Sequence, residues 1–231
     1  MTRLHVETWG TGDRIAVLVH GLSADAWSWW RVGPELARRG YRVLAPDLRG
    51  HGVSPRGDYS RELWAADLVE TLPAGPEVVI GHSLGAVVLS MAVPRLRPER
   101  AIYVDPAWEP PEGDTFSASM PFFLAQQAWG LDEVAAAHPG WADEAWRHRL
   151  EALRRWDPAT TGMDELDRAH PPGDAVVPSL IVTADPSDLV SAERVERLLA
   201  QGYEIRAVPG TGHWVHEDDP QGFRKSVEDW L

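Results

Sequence analysis

The stretch "EVVIGHSLGAVVLS", residues 77–90, sets Ser83 between Gly81 and Gly85, directly after an apolar run. "EVVI" (77–80) reads as a strand and "LGAVVLSMAV" (84–93) as a helix, so the serine falls on their junction. Glycine is unfavourable inside either element, and a flanking pair demands a reason. A very tight strand-to-helix turn supplies one. Its central residue sits in a sparsely populated backbone region, the chain on either side passes close, and a Cβ at 81 or 85 would clash. Such a turn exposes the serine Oγ. It also aims the N-terminus of the next helix, with unpaired N–H groups and partial positive charge, at the place where an oxyanion would form. The plainer account is an N-cap serine after a glycine turn, and a short motif alone does not separate the two.

Outward from this junction, short β-branched runs alternate with longer amphipathic segments, the pattern of an α/β fold with a mostly parallel sheet flanked by helices. Strands are expected at "RLHVET" (3–8), "RIAVLV" (14–19), "YRVLAP" (41–46), "AIYVD" (101–105), "SLIVT" (179–183) and "EIRAV" (204–208). Helices are expected near 30–39, ending at Gly40, over 60–72 from Ser60, and at 191–201 and 221–231. Between Asp105 and Pro178 the alternation stops: eight prolines and five tryptophans accompany helical patches near 117–129 and 141–156, with no strand. An insertion of that length reads as a helical cap over one edge of the sheet, because five indoles need something to pack against. The expected division is a core of 1–105 and 176–231 with a cap of 106–175.

Composition narrows the function. The 231 residues suit one α/β domain, and 22 Lys+Arg against 35 Asp+Glu give a formal charge of −13. Such a surface repels phosphate backbones and anionic lipid, so the expected partner is a small-molecule substrate, not nucleic acid or membrane. With no cysteine there is no disulfide or thiolate metal site. "MTRLHVETWG" has no apolar h-region or cleavage site, and no segment approaches a bilayer span, so a soluble cytoplasmic protein is the default expectation.

Two further segments bear on Ser83. In "VLVHGLSADAWSWW" (17–30) a strand runs into His20-Gly21, a turn from which the N–H of Leu22 can face the serine and form an oxyanion hole with the N–H of Leu84. In "PGTGHWVHEDDP" (209–220) a glycine-rich loop follows the last strand. It can swing His213 Nε2 toward Ser83 while a carboxylate holds Nδ1–H. His216 is the weaker candidate, better suited to a cap or surface role. His213 and His216 on a loop poorly match a helix-borne metal-ligand pair, so neither metal nor cofactor is expected.

Together, "VLVHG", "RRGYRVLAPDLRGHGVSP", "GHSLG" and "GTGHWVHEDDP" resemble the α/β-hydrolase superfamily, in order and at family-like intervals, over nearly the whole chain apart from the cap. The order serine, acid, histidine agrees with it. The resemblance implies that "DLRGHG" (47–52) is a structural loop outside the triad. It also implies two places for the acid. In most members the acid follows the penultimate strand as Gly-x-x-Asp, but "SLIVTADPSDLVSAE" (179–193) has Ala184 at the glycine position, with Asp185 one and Asp188 four residues beyond. In part of the superfamily, including haloalkane dehalogenases, the acid ends the strand after the nucleophile helix, as Asp105 would in "AIYVDPAW". Pro106 stops that strand. Asp105 is favoured, with Asp188 or Asp185 as alternatives. Dehalogenase and epoxide-hydrolase chemistry is disfavoured, since those enzymes attack with aspartate and the elbow here holds serine.

Trp27, Trp29, Trp30, Trp108 and Trp214 flank these loops at the carboxyl ends of the strands, where open α/β sheets build sites. At least two are expected to line a pocket, with Trp27, Trp108 and Trp214 as the substrate-binding candidates, favouring an apolar or aromatic group. No Arg or Lys cluster lies near these loops in the sequence. The expected activity is serine hydrolysis of an ester or lactone through an acyl-enzyme on Ser83. Carbon–carbon bond hydrolysis or acyl transfer would use the same site, and a ligand-binding or signalling protein with little turnover is the alternative from another class.

Overall fold

The computed structural model describes residues 2–162 and 167–231. In chain order its elements are β1 (Val6–Trp9), β2 (Arg14–Val19), α1 (Val32–Arg38), β3 (Tyr41–Pro46), α2 (Arg61–Thr71), β4 (Val78–His82), α3 (Leu84–Leu96) and β5 (Arg100–Val104). They continue with α4 (Phe116–Ala125), α5 (Leu131–Ala137), α6 (Asp143–Arg155), β6 (Ser179–Asp185), α7 (Ala192–Ala200), β7 (Glu204–Pro209), α8 (Val215–Asp218) and α9 (Pro220–Val227). The strands form one sheet in the order β1-β3-β2-β4-β5-β6-β7, parallel except where β1 pairs antiparallel with β3.

Helices on both faces explain why the central strands read as unbroken apolar runs. Side chains alternate between two cores, as a period of two requires. Val17, Val19, Val79, Ala101 and Tyr103 join one, against α2 and α3. Ala16, Leu18, Val78, Ile80, Ile102 and Val104 join the other, with Leu36, Val215 and Phe223. The order places β4 between β2 and β5, so the carboxyl ends of these three strands converge where Ser83 leaves β4.

Between β5 and β6 no strand occurs among the described residues, and α4, α5 and α6 fill the interval. α5, "LDEVAAA", is not among the helices expected from sequence. It buries a single residue, Val134, so its two turns, three of whose seven residues are alanine, carry no apolar stripe. Ser60 caps α2 by accepting from Leu63 N at 3.1 Å. The "DLRGHG" loop is held structurally. Asp47 accepts from Ala26 N and Val53 N, and Arg49 makes paired 2.8 Å bonds to the buried Asp67 carboxylate. No described helix is long and apolar enough to cross a membrane.

Candidate active site

Ser83 has φ 53° and ψ −120°, a strained conformation for a residue with a Cβ. The glycines account for how the turn is packed. A Cβ on Gly81 would lie 2.8 Å from the Gly85 carbonyl, and one on Gly85 only 2.4 Å from the carbonyls of Val19 and His20. The N-cap account of the serine does not hold, because its side chain makes no capping hydrogen bond to α3.

The Oγ instead lies 2.9 Å from His213 Nε2. His213 Nδ1 is 2.7 Å from Asp105 Oδ2, so the neutral imidazole donates from Nδ1 to the carboxylate and accepts from the serine hydroxyl. Asp105 is buried, and its other oxygen accepts from Ala184 N at 3.2 Å and Ser187 Oγ at 2.7 Å. Neither alternative acid contacts His213. Asp185 ends β6 exposed, and Asp188 is exposed at the border of the pocket. His216 is buried, stacked on Trp29 with ring centroids 4.3 Å apart, and burial pushes it down to about 3. Its ring packs among Trp29, His82 and Phe223, and the histidine that meets Ser83 Oγ is His213.

Three histidines that are not part of this relay hold the frame. His82, the residue before the serine, donates from Nε2 to the His213 carbonyl at 2.8 Å. His20 Nδ1 donates to the Gly21 carbonyl at 2.8 Å while its Nε2 accepts from Leu48 N at 2.9 Å, which fixes one neutral tautomer. Burial lowers the pKa of His20, His51 and His82 alike, keeping them uncharged beside the site.

The turn after β2 reaches the serine. A Cβ on Gly21 would sit 3.1 Å from Ser83 Cβ. Among the described residues no acceptor takes the backbone N–H of Leu22 or Leu84, and both residues border the hollow at Ser83. Two hollows meet there. One, of about 260 Å³, is walled by Phe116, Met120, Phe123, Leu189 and Pro186, with Arg61 and Asp188 at its border. The other, of about 240 Å³, lies among Phe122, Trp129, His138, Arg149 and Trp214.

The tryptophan expectations need correction. Trp214 borders the second hollow, but Trp108 lies in the core against Tyr103 and Tyr203, its N–H reaching Ser90 Oγ at 3.3 Å. Trp27 faces away from Ser83, stacked on His148 and edge-on to Trp9. Trp108 is buried against core partners and Trp27 half-buried against surface ones, so neither lines a hollow at Ser83. Trp29 is fully buried, and Trp30 lies with Trp27 outside both hollows. The wall comes from α4 instead. Phe116, Met120 and Phe123 repeat at i, i+4 and i+7, a stripe visible in sequence to a reader looking for pocket residues on a helix. Arg149 comes from α6, far in sequence from the loops that carry Leu22, Ser83 and His213. No described group of three or more His, Asp or Glu side chains is arranged to hold a metal ion.

Comparison with known proteins bears on the family. Esterase YbfF of Escherichia coli is 27% identical over 242 residues, covering 93% of this chain and 92% of its own. The sn-1-specific diacylglycerol lipase of Mus musculus is 28% identical over 255 residues, covering 93% and 80%. A solved N-formylmaleamic acid deformylase from Pseudomonas putida superposes with a TM-score of 0.80 at 25% identity, covering 98% of this chain and 96% of its own. The model of the alpha/beta hydrolase family matches residues 16–225. A match that runs from β2 into α9, over a sheet of this order, settles the class: this chain belongs to the alpha/beta hydrolase family.

Proposed function

We propose that the protein is a serine hydrolase that cleaves an ester or lactone of a small apolar or aromatic substrate through an acyl-enzyme on Ser83. The observation that carries this is the pair of contacts on one imidazole, 2.9 Å to Ser83 Oγ and 2.7 Å to Asp105 Oδ2. His213 takes the hydroxyl proton as Ser83 attacks the carbonyl carbon, and Asp105 holds the imidazolium that results. The tetrahedral oxyanion takes the N–H groups of Leu22 and Leu84, reinforced by the N-terminus of α3. His213 returns the proton to the departing alcohol, a water enters, and the same steps in reverse release the acid.

The wall of Phe116, Met120, Phe123 and Leu189 favours an apolar group on one side of the scissile bond. Trp129 and Trp214 favour a flat or aromatic group on the other. The proposed cap, residues 106–175, supplies the aromatic residues of both walls apart from Trp214. The similarity to proteins named as an esterase and a lipase supports an oxygen ester as the first substrate class to try.

Labelling of the native protein with a fluorophosphonate, read by intact mass, tests this. One adduct is expected, absent in Ser83→Ala. A protein that takes no adduct and turns over no member of a panel of p-nitrophenyl esters and lactones is not a serine hydrolase.

A further inference from the structure

Arg149 lies within α6 and is 6% exposed, yet among the described residues no carboxylate comes within ion-pair distance of it. Its partners are neutral oxygens. Nη1 donates to the Ser23 carbonyl at 2.5 Å, and Nη2 donates to Ser23 Oγ at 3.1 Å and Gln126 Oε1 at 2.5 Å. The guanidinium lies over the Trp214 ring, 5.0 Å from its centroid. The acid whose field reaches it is Asp25, which burial and Asp47 raise to about 7 and whose 3.9 Å ion pair is with Arg155. Burial brings Arg149 down to about 10, still charged at neutral pH.

What Arg149 grips is the turn that carries Leu22. Ser23 is fully buried with φ 57°, a conformation a non-glycine residue keeps only when its surroundings enforce it. One end of the turn is held from the core, by His20 on the Gly21 carbonyl. The other is held from the inserted segment, by the fork of Arg149 steadied by Gln126. Arg149 also borders the hollow that contains Gly21, Leu22 and Ser83. A buried cation among neutral partners is a poor device for stability, because apolar replacements of buried ions are often neutral or stabilising.

We propose that Arg149 is the positioning residue of the oxyanion turn: by clamping Ser23 it aims the Leu22 N–H at Ser83, so the inserted helices complete the site as well as cover it. This rests on the assignment of Ser83 as nucleophile and Leu22 as oxyanion donor.

The test compares wild type with Arg149→Met, Arg149→Lys and Gln126→Leu in the full chain. It uses steady-state hydrolysis of p-nitrophenyl butyrate, inhibition by an alkyl boronic acid that forms a tetrahedral adduct on the serine, and thermal midpoints. Arg149→Met is expected to lower kcat about 100-fold, the scale of losing one oxyanion donor. KM should stay within about threefold, boronate affinity should fall in parallel, and the midpoint should hold. Arg149→Lys should recover only part, since a point charge cannot span both acceptors on Ser23. An Arg149→Met enzyme with kcat and boronate affinity intact overturns the proposal, as does one that raises KM alone. Should Arg149→Met not fold, Gln126→Leu decides. A several-fold parallel loss of kcat and boronate affinity supports the clamp, and no change in either overturns it. A wild-type protein without a Ser83 adduct or any ester turnover removes the assignment beneath the proposal, a result read before any variant is made.

Discussion

Ser187 Oγ donates to Asp105 Oδ1 at 2.7 Å, on the side of the carboxylate away from His213. Ser187 lies three residues beyond Ala184, the spacing at which the resemblance leads one to look for the acid itself. The loop after β6 thus still meets the relay, but as a donor to an acid that stands on the neighbouring strand.

The first prediction concerns which acid acts. Asp105→Asn is expected to lower kcat on p-nitrophenyl acetate by about 10⁴-fold, the cost of losing the residue that fixes the imidazole tautomer. Asp185→Asn and Asp188→Asn should stay within about threefold of wild type, since neither reaches His213. A reversal of that ranking, measured in one assay, refutes the assignment.

Ser187→Ala leaves Asp105 Oδ1 with a single donor, Ala184 N. The expected loss in kcat is about threefold to tenfold, in line with about 1 kcal/mol for one such hydrogen bond. In the double variant Asp105→Ala/Ser187→Asp the carboxylate is moved to the other loop, and activity should recover at least tenfold over Asp105→Ala alone. No recovery would mean that a carboxylate at 187 cannot reach the imidazole.

Met120 stands between Phe116 and Phe123 on the wall of the larger hollow. Met120→Trp fills that space. The ratio of kcat/KM for p-nitrophenyl octanoate over acetate should fall at least tenfold, because burial of each methylene is worth about 0.8 kcal/mol. Equal losses for both esters would show that long chains lie elsewhere.

Glu217, in α8, is buried, and desolvation pushes its carboxyl up to about 8, with Asp218 adding and Arg31 opposing. Its pKa lies above that of the unfolded chain, so the folded state binds the extra proton between about 4.5 and 8. The contribution to stability is therefore full below that window and is lost as pH rises through it. Glu217→Gln should raise the thermal midpoint at about pH 8.5, leave it unchanged near pH 4.5, and flatten the profile between. At about 1.4 kcal/mol per pH unit of separation the gain is a few kcal/mol. Parallel profiles for the two proteins would count against a buried, protonated Glu217.

Much of this architecture was legible because central parallel strands covered on both faces announce themselves as apolar runs, as β2, β4, β5 and β6 do, while the edge strands β1 and β7 show mainly as short β-branched stretches between turns. Ser83, Leu22 and His213 were legible for a different reason. Each sits within a few residues of a glycine that a sharp turn requires. The tryptophans misled because an indole satisfies the same burial in a core as in a pocket. Trp108 beside Tyr103 differs from Trp214 beside His213 only in three dimensions. Arg149 carries no local signal, and Ser187 carries only its spacing from Ala184, which points to an acid and not to a donor. Their partners, Asp105 and Ser23, lie 82 and 126 positions away in the chain.

The bond from His82 to the His213 carbonyl has a mechanical consequence. His82 and Ser83 are adjacent in the chain, so the loop bearing His213 is riveted to the peptide next to Ser83. The inserted segment also touches this loop, through Trp141 on Asp218 at 2.7 Å and Arg149 over Trp214, so a push on the His213 loop reaches the peptide beside Ser83 as well and the two move as one.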